Sequence, residues 1–106
     1  MRGAITSLAA AACLALGSPA LPGAEGAQVH ISHFMFTPPS VTLRAGSTLR
    51  WINDDEEPHT VVSVDGLFRS AAVDGGESFE FRFEKPGTYR YICTVHPQMS
   101  GEVIVQ

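Results

Sequence analysis

A thiol, an imidazole and a thioether lie within seven residues near the end of the chain, at Cys93, His96 and Met99. A second imidazole, that of His59, occurs well before them. This spacing forms neither a helix face nor a strand ladder readily, but a tight loop can turn all three donors toward one ion. We therefore interpret residues 91–99 as a ligand loop that acts together with His59.

The donor set favours copper. Thiolate and thioether sulfur suit Cu(I), imidazole nitrogen suits Cu(II), and a site that combines them lets one electron pass with little rearrangement. Zinc is a poorer match, because its sites use cysteine, histidine or carboxylate ligands and not methionine. The sequence therefore predicts one copper ion that alternates between Cu(I) and Cu(II).

The same cysteine and histidine admit a second chemistry. Cys93 with His96 as its base would form a nucleophilic pair. Such a pair needs a reduced thiol, a third orienting group and a substrate pocket, and the sequence indicates neither the orienting group nor the pocket. We predict that the protein is not an enzyme.

The first part of the chain is typical of a secretory signal peptide. Met1 and Arg2 precede an apolar run over residues 4–16, and small residues follow it. The run is shorter than the roughly 20 apolar residues that a membrane-spanning helix needs. Cleavage after Ala20 or after Gly26 fits the small-residue pattern, and the sequence does not decide between them.

Export leaves one cysteine in the mature chain, Cys93, because Cys13 lies within the leader. A single thiol cannot form an internal disulfide, although disulfides are usual in small exported proteins. A bound metal would occupy the thiol and stabilise the domain by mass action. We predict a signal peptide over residues 1–26, a single domain over residues 27–106 and a periplasmic location.

The charge balance argues against one class of partner. The chain has 7 Lys and Arg against 11 Asp and Glu, a formal net charge of −4. It shows no basic stripe or phosphate-binding loop, so we do not expect it to bind nucleic acid. Four of the acids form a run over residues 54–57, shortly before His59. That run either steers a basic partner or is a solvated loop.

The elements that must position the donors are short strands. Apolar and polar residues alternate, and β-branched residues recur, over residues 29–36, 41–44, 47–52, 59–64, 77–84, 88–93 and 103–105. The clearest strand is the fifth, in which Phe79, Phe81 and Phe83 face inward. Trp51 is predicted to be a core aromatic, and residues 67–76 a crossing loop. The pattern predicts an all-β fold, a Greek-key antiparallel β-sandwich of about seven short strands.

Two further histidines, His30 and His33, lie at the start of the mature chain. Histidines in a strand usually solvate an edge. A second Cu(II) site is the alternative if cleavage leaves Gln28 as the first residue, with His30 third from a free amine. The small-residue rule disfavours that cleavage.

Three motifs in this order carry a family resemblance: Pro58-His59-Thr60-Val61, Pro86-Gly87-Thr88-Tyr89 and Cys93-x2-His96-x2-Met99. Through them the chain resembles the small blue-copper proteins, or cupredoxins, of the plastocyanin and amicyanin type. The likeness covers essentially the whole mature chain. The spacing of the last motif is the shortest arrangement in that group and is most similar to amicyanin.

The resemblance implies a role for each donor. His59, Cys93 and His96 would form a trigonal plane around copper, and Met99 would be the long axial ligand that helps to set the potential. Asn53 is similar to the family asparagine that ties the two ligand-bearing loops together by hydrogen bonds. Residues expected to orient the ligands without binding copper are Asn53, Pro58, Thr94 and Pro97.

The resemblance also implies a function. Such proteins carry single electrons between larger redox proteins, and their loop histidine, here His96, reaches the surface through an apolar patch. We therefore expect a monomer, without stable membrane insertion, whose redox partners dock transiently near His96. Pro38, Pro39 and Phe68 are candidates for the patch. The alternative is a copper-binding module for periplasmic copper trafficking or storage.

Overall fold

The computed structural model of the protein describes residues 26–106. The expected signal peptide lies outside this range except for Gly26, so the leader and its cleavage site stay predictions. Residues 26–106 fold into eight strands and contain no helix. Accordingly, this range includes no helix that is long and apolar enough to cross a bilayer.

The eight strands form two sheets. They are β1 (Ala27–Ser32), β2 (Met35–Thr37), β3 (Ser40–Leu43), β4 (Ser47–Asn53), β5 (Val62–Ser63), β6 (Ser78–Phe83), β7 (Gly87–Ile92) and β8 (Ser100–Val105). One sheet has the order β2-β1-β4-β6 and the other β3-β8-β7-β5. Buried residues of both sheets belong to one hydrophobic cluster, so the predicted β-sandwich is confirmed.

Two strand pairs differ from the predicted antiparallel arrangement. β1 runs parallel to β4, with Val29 opposite Trp51, and β3 runs parallel to β8, with Val41 opposite Val103. All other pairs between the named strands are antiparallel. Parallel strands cannot be joined by a tight turn. Each parallel pair therefore joins strands that are distant in sequence, and local alternation does not reveal such pairings.

The strand predicted over residues 29–36 is broken by a turn. His33 and Phe34 have φ values of 56° and 59°, which is the left-handed conformation that a type I′ hairpin turn requires at both central positions. β2 consequently folds back on β1, with Ile31 opposite Phe36. The alternation of residue types gave no sign of this turn, because the pair His33-Phe34 is not one of the Asn-Gly, Asp-Gly or Gly-Gly pairs that type I′ turns prefer.

The strand predicted over residues 59–64 is reduced to β5. His59 instead forms an isolated bridge with Val73, and Val62 forms one with Arg69. The His59 N–H donates to the Val73 carbonyl at 3.0 Å, and the Val73 N–H donates to the His59 carbonyl at 2.8 Å. The loop over residues 67–76 thus packs against the His59 segment and holds its backbone from one side.

Trp51 lies at the centre of the core, as predicted, and is fully buried. Its ring centroid lies 5.3 Å from that of Tyr91, 5.6 Å from that of Phe68 and 5.7 Å from that of Phe79. Phe83 is also buried, whereas Phe79 is only partly so. Because Phe68 is buried in this cluster, the expectation that it contributes to a surface patch is wrong.

Candidate metal centre

Three of the predicted donors converge on one point. Nδ1 of His59 lies 3.7 Å from Sγ of Cys93, and Nδ1 of His96 lies 3.9 Å from the same sulfur. The ligand atoms of these residues all lie within 4.8 Å of one another. Among residues 26–106, no other group of three or more histidine, cysteine or acidic side chains meets in this way.

The fourth predicted donor, Met99, closes the loop that carries Cys93 and His96. The Cys93 N–H donates to the Met99 carbonyl at 3.2 Å, and the Met99 N–H donates to the His96 carbonyl at 2.9 Å. Met99 is buried. The loop joins β7 to β8, and the pairing of Ile92 with Ser100 directly behind it brings its two ends together. The hairpin therefore sets the spacing of the three loop donors.

His59 has a second partner on the other side of its ring. Nε2 of His59 lies 2.9 Å from Oδ2 of Asp55, and the imidazole is fully buried. Burial raises the pKa of Asp55, but the backbone N–H groups of Phe34 and His33 and the hydrogen bond from His59 lower it below its usual value. An ionised Asp55 accepts the Nε2 proton and leaves the Nδ1 lone pair directed toward Cys93.

The Cys93 sulfur is buried among donors. It lies 3.4 Å from the Thr60 backbone nitrogen and 3.8 Å from the Thr60 hydroxyl oxygen. Burial raises the pKa of Cys93, but the hydrogen bond from the Thr60 N–H and the contacts of the sulfur with the His59 and His96 imidazoles lower it to about 6. The thiolate is therefore the stable form at neutral pH, and thiolate is the form that binds metal.

The two ligand-bearing segments are joined by Thr60 and Thr94. The Thr60 hydroxyl accepts the Thr94 N–H at 2.8 Å, and the two hydroxyl oxygens lie 2.8 Å apart. The resemblance assigned a link between the two segments to Asn53. Asn53 lies at the end of β4, and its Nδ2 donates to the carbonyls of Glu57 and Val73. Its role in orienting the copper ligands stays a prediction.

Removing the Thr60 hydroxyl should weaken the link between the two segments. We expect Thr60→Val, which keeps the shape of the side chain, to lower the free energy of unfolding by about 0.5–1.5 kcal/mol, the usual contribution of a hydrogen bond. Thr88→Val, at an exposed position of β7, is the matched control and should change it by less than about 0.5 kcal/mol. Urea unfolding of the metal-free proteins measures the difference. Equal stabilities would show that the link contributes nothing.

The acidic run divides into two pairs. Asp55 binds His59, and Oδ2 of Asp54 lies 2.6 Å from Nδ1 of His30, whereas Glu56 and Glu57 are exposed. His30 thus has a carboxylate partner, and neither His30 nor His33 belongs to a metal-like cluster among the described residues. The arrangement offers no support for a second copper site there.

Sequence reasoning assigned no role to Phe34. Its ring stands edge-on to the His59 ring, with centroids 5.2 Å apart and an interplanar angle of 88°, and to the His96 ring at 4.8 Å and 90°. Phe34 is 38% exposed, so it covers both imidazoles while facing solvent. The signal was hidden because the residue was placed inside a continuous strand.

The donor chemistry fits copper. Two imidazole nitrogens and one buried thiolate, with a buried methionine on the same loop, are the ligand types of blue-copper sites. A structural zinc site would replace the thioether by a fourth cysteine, histidine or carboxylate. Pro58 and Pro97 flank the two histidines in the chain and are exposed, and their orienting roles stay predictions.

Residues 4–105 match the model of the cupredoxin-like domain. The chain belongs to the cupredoxin family. Amicyanin-alpha from Methylorubrum extorquens is 35% identical over 97% of this chain and 91% of that protein. Amicyanin from Paracoccus denitrificans is 36% identical over 98% of this chain and 86% of that protein. Plastocyanin from Scenedesmus fuscus is 33% identical, over 68% of this chain and 87% of that protein.

Solved cupredoxin structures agree with this membership. A mutant of amicyanin with Cu(I) superimposes on this cupredoxin with a TM-score of 0.73 and 29% identity, over 84% of this chain and 94% of that chain. Other amicyanin structures are of oxidised and reduced mutants. The resemblance read from the three motifs is confirmed, and the cofactor of this cupredoxin is one copper ion.

Proposed function

We propose that this cupredoxin is an exported, mobile carrier of single electrons between larger redox proteins. His59, Cys93, His96 and Met99 hold the copper. The observation that carries the proposal is the meeting of two imidazole nitrogens and one thiolate sulfur within 4.8 Å of one another. Bound copper supplies a one-electron couple between Cu(I) and Cu(II). The predicted signal peptide supports a periplasmic location.

Rapid electron transfer requires donors that stay in place in both redox states. The backbone of His59 is held by two hydrogen bonds to Val73, and its ring by Asp55. The loop that carries the other donors is closed by its own backbone bonds and tied to Thr60. Donors supported in this way keep their geometry, which suits a site that only gains and loses an electron.

The burial of Cys93 supports electron transfer over the alternatives. Its side chain has no solvent exposure, whereas a copper-trafficking thiolate must be reached by the receiving protein. A nucleophilic cysteine must likewise be reached by its substrate. An electron needs no such access to the sulfur, because the half-buried His96 offers a route from the site to the surface.

The surface beside His96 is apolar. Phe34 contacts the His96 ring, and the exposed fractions of Met35 and Val95 are 58% and 56%. Phe34 and Met35 also line a groove of about 330 Å³ together with Pro39 and Met99. An apolar surface beside His96 suits the small, transient contacts of electron-transfer proteins, so we propose that redox partners dock here.

The first test is the visible absorption and EPR spectrum of the purified mature protein after addition of Cu(II). We expect an intense blue band and a small copper hyperfine splitting, the signature of a copper–thiolate bond. A pale spectrum typical of nitrogen and oxygen ligation, or no binding, would overturn the proposed ligand set.

Voltammetry then separates the electron carrier from a trafficking module. We expect the copper-loaded protein to undergo reversible one-electron reduction and reoxidation without losing copper. Release of copper on reduction, or transfer to a Cu(I) chelator within the time of one cycle, would favour trafficking instead.

A further inference from the structure

One carboxylate joins the turn at residues 33–34 to a predicted copper ligand. Oδ1 of Asp55 accepts the His33 N–H at 2.7 Å, and Oδ2 accepts the Phe34 N–H at 2.9 Å. Oδ2 also lies 2.9 Å from Nε2 of His59. The Asp55 side chain is only 12% exposed, so these three donors, rather than water, satisfy most of its capacity to accept hydrogen bonds.

The turn depends on this carboxylate. His33 and Phe34 both adopt positive φ, a conformation that L residues with a Cβ disfavour. Their two N–H groups consequently point the same way, and a carboxylate that accepts both bonds stabilises the pair. Asp55 is thus the residue that offsets the strain of the turn.

The position of this turn determines where the Phe34 ring lies. That ring meets the edges of both histidine rings at centroid distances of 5.2 and 4.8 Å, and the two histidine rings lie 5.2 Å apart. A shift of the turn would therefore withdraw the contact that covers both imidazoles. Asp55 thus contacts His59 directly, through the hydrogen bond to Nε2. It acts on the His59 and His96 rings indirectly, through the position of Phe34.

We propose that Asp55 is a positioning residue, which holds the His59 ring by a direct hydrogen bond and places Phe34 against His59 and His96 through the turn. The inference rests on the proposed function, because it assigns Asp55 a role toward the copper ligands. A carboxylate that accepts the second proton of a histidine ligand makes that ligand more basic. Asp55 consequently favours Cu(II) and lowers the reduction potential.

The test compares Asp55→Asn with Asp54→Asn. Both variants remove one negative charge from the same loop, but the Asp54 side chain is half exposed and pairs with His30. An asparagine at position 55 has one accepting oxygen in place of two, so it cannot serve all three donors. Asp55→Glu, which keeps the carboxylate, is the conservative variant for rescue.

Two readouts are expected to move only in Asp55→Asn. Its Cu(II) affinity should fall about tenfold further than that of Asp54→Asn, the lower end of the effect of a ligand's hydrogen-bond partner. With Cu(I) affinity unchanged, this raises the potential by about 59 mV, since that is a tenfold change for one electron. In the Cu(I) protein, exchange of the His33 and Phe34 amide protons should become faster, and Asp55→Glu should restore part of both effects.

Two other outcomes overturn the inference. Equal potentials for Asp55→Asn and Asp54→Asn would mean that only net charge matters. Faster amide exchange without the additional potential shift would limit Asp55 to supporting the turn. If the unsubstituted protein gives no blue spectrum, the proposed function fails by itself. The NMR signal of the His59 Nε2 proton in the metal-free protein then decides whether Asp55 holds the ring, since Asp55→Asn should remove it and Asp54→Asn should not.

Discussion

Cys93→Ser is expected to abolish the intense blue absorption of the copper-loaded protein. That band requires a copper–thiolate bond, and a serine hydroxyl does not ionise at neutral pH as the Cys93 thiol does, with its pKa of about 6. The remaining donors are two imidazoles and a thioether. We expect Cu(II) to bind more weakly by more than the 10–100-fold that is typical of losing a ligand's hydrogen-bond partner.

Absorption spectra and copper titrations of the purified variant measure both effects. Thr94→Ser is the matched control, because it lies next to Cys93, keeps the hydroxyl near Thr60 and is not a proposed ligand. It should remain blue. A blue band that survives in Cys93→Ser would show that the colour does not arise from this sulfur, and the proposed ligand set would be wrong.

Trp51→Ala is expected to have the largest effect on stability. The indole is fully buried and contacts the rings of Phe68, Phe79 and Tyr91, so its removal leaves a cavity bounded by both sheets. Deletion of a buried aromatic ring costs about 3–5 kcal/mol. Because a small domain has a total stability near the lower end of roughly 5–15 kcal/mol, the metal-free variant should keep no more than about 2 kcal/mol of stability.

Copper should partly rescue this variant. A ligand that binds only the folded state adds about 2.7 kcal/mol to the free energy of unfolding at a free concentration of 100 Kd. The proposed copper ligands converge only in the folded protein, so copper should act in this way. Urea unfolding with and without copper measures both quantities. Val64→Ala, at a position that is 68% exposed, is the control and should change stability by less than about 0.5 kcal/mol. A loss below about 1 kcal/mol in Trp51→Ala would contradict the assigned core.

Much of the fold was predictable because its signals are local. Alternation along residues 77–84 follows from the two-residue period of a strand, and it predicted β6 with Phe83 buried. Trp51 was likewise predicted to be a core aromatic, and it is fully buried. The two parallel strand pairs were missed, since each joins strands that are far apart in the sequence.

The sequence by itself predicted the donors, the metal and the family. Cys93, His96 and Met99 are close in the chain, so their spacing already limits them to one loop, and the types of their ligand atoms select copper. His59 lies far from this loop in the sequence but was predicted with it as the second imidazole, and the structure brings its Nδ1 to 3.7 Å from the Cys93 sulfur.

Only the tertiary structure decided how those donors are held. Asp55 accepts hydrogen bonds from the N–H groups of residues 21 and 22 positions away, and Thr60 contacts Cys93 and Thr94 across 33 and 34 positions. Such contacts leave no periodic trace in the sequence, because they depend on which loops the two sheets bring to the same end of the sandwich. The left-handed turn at His33 and Phe34 is of the same kind, since a carboxylate from another segment stabilises a conformation that these residues do not favour locally.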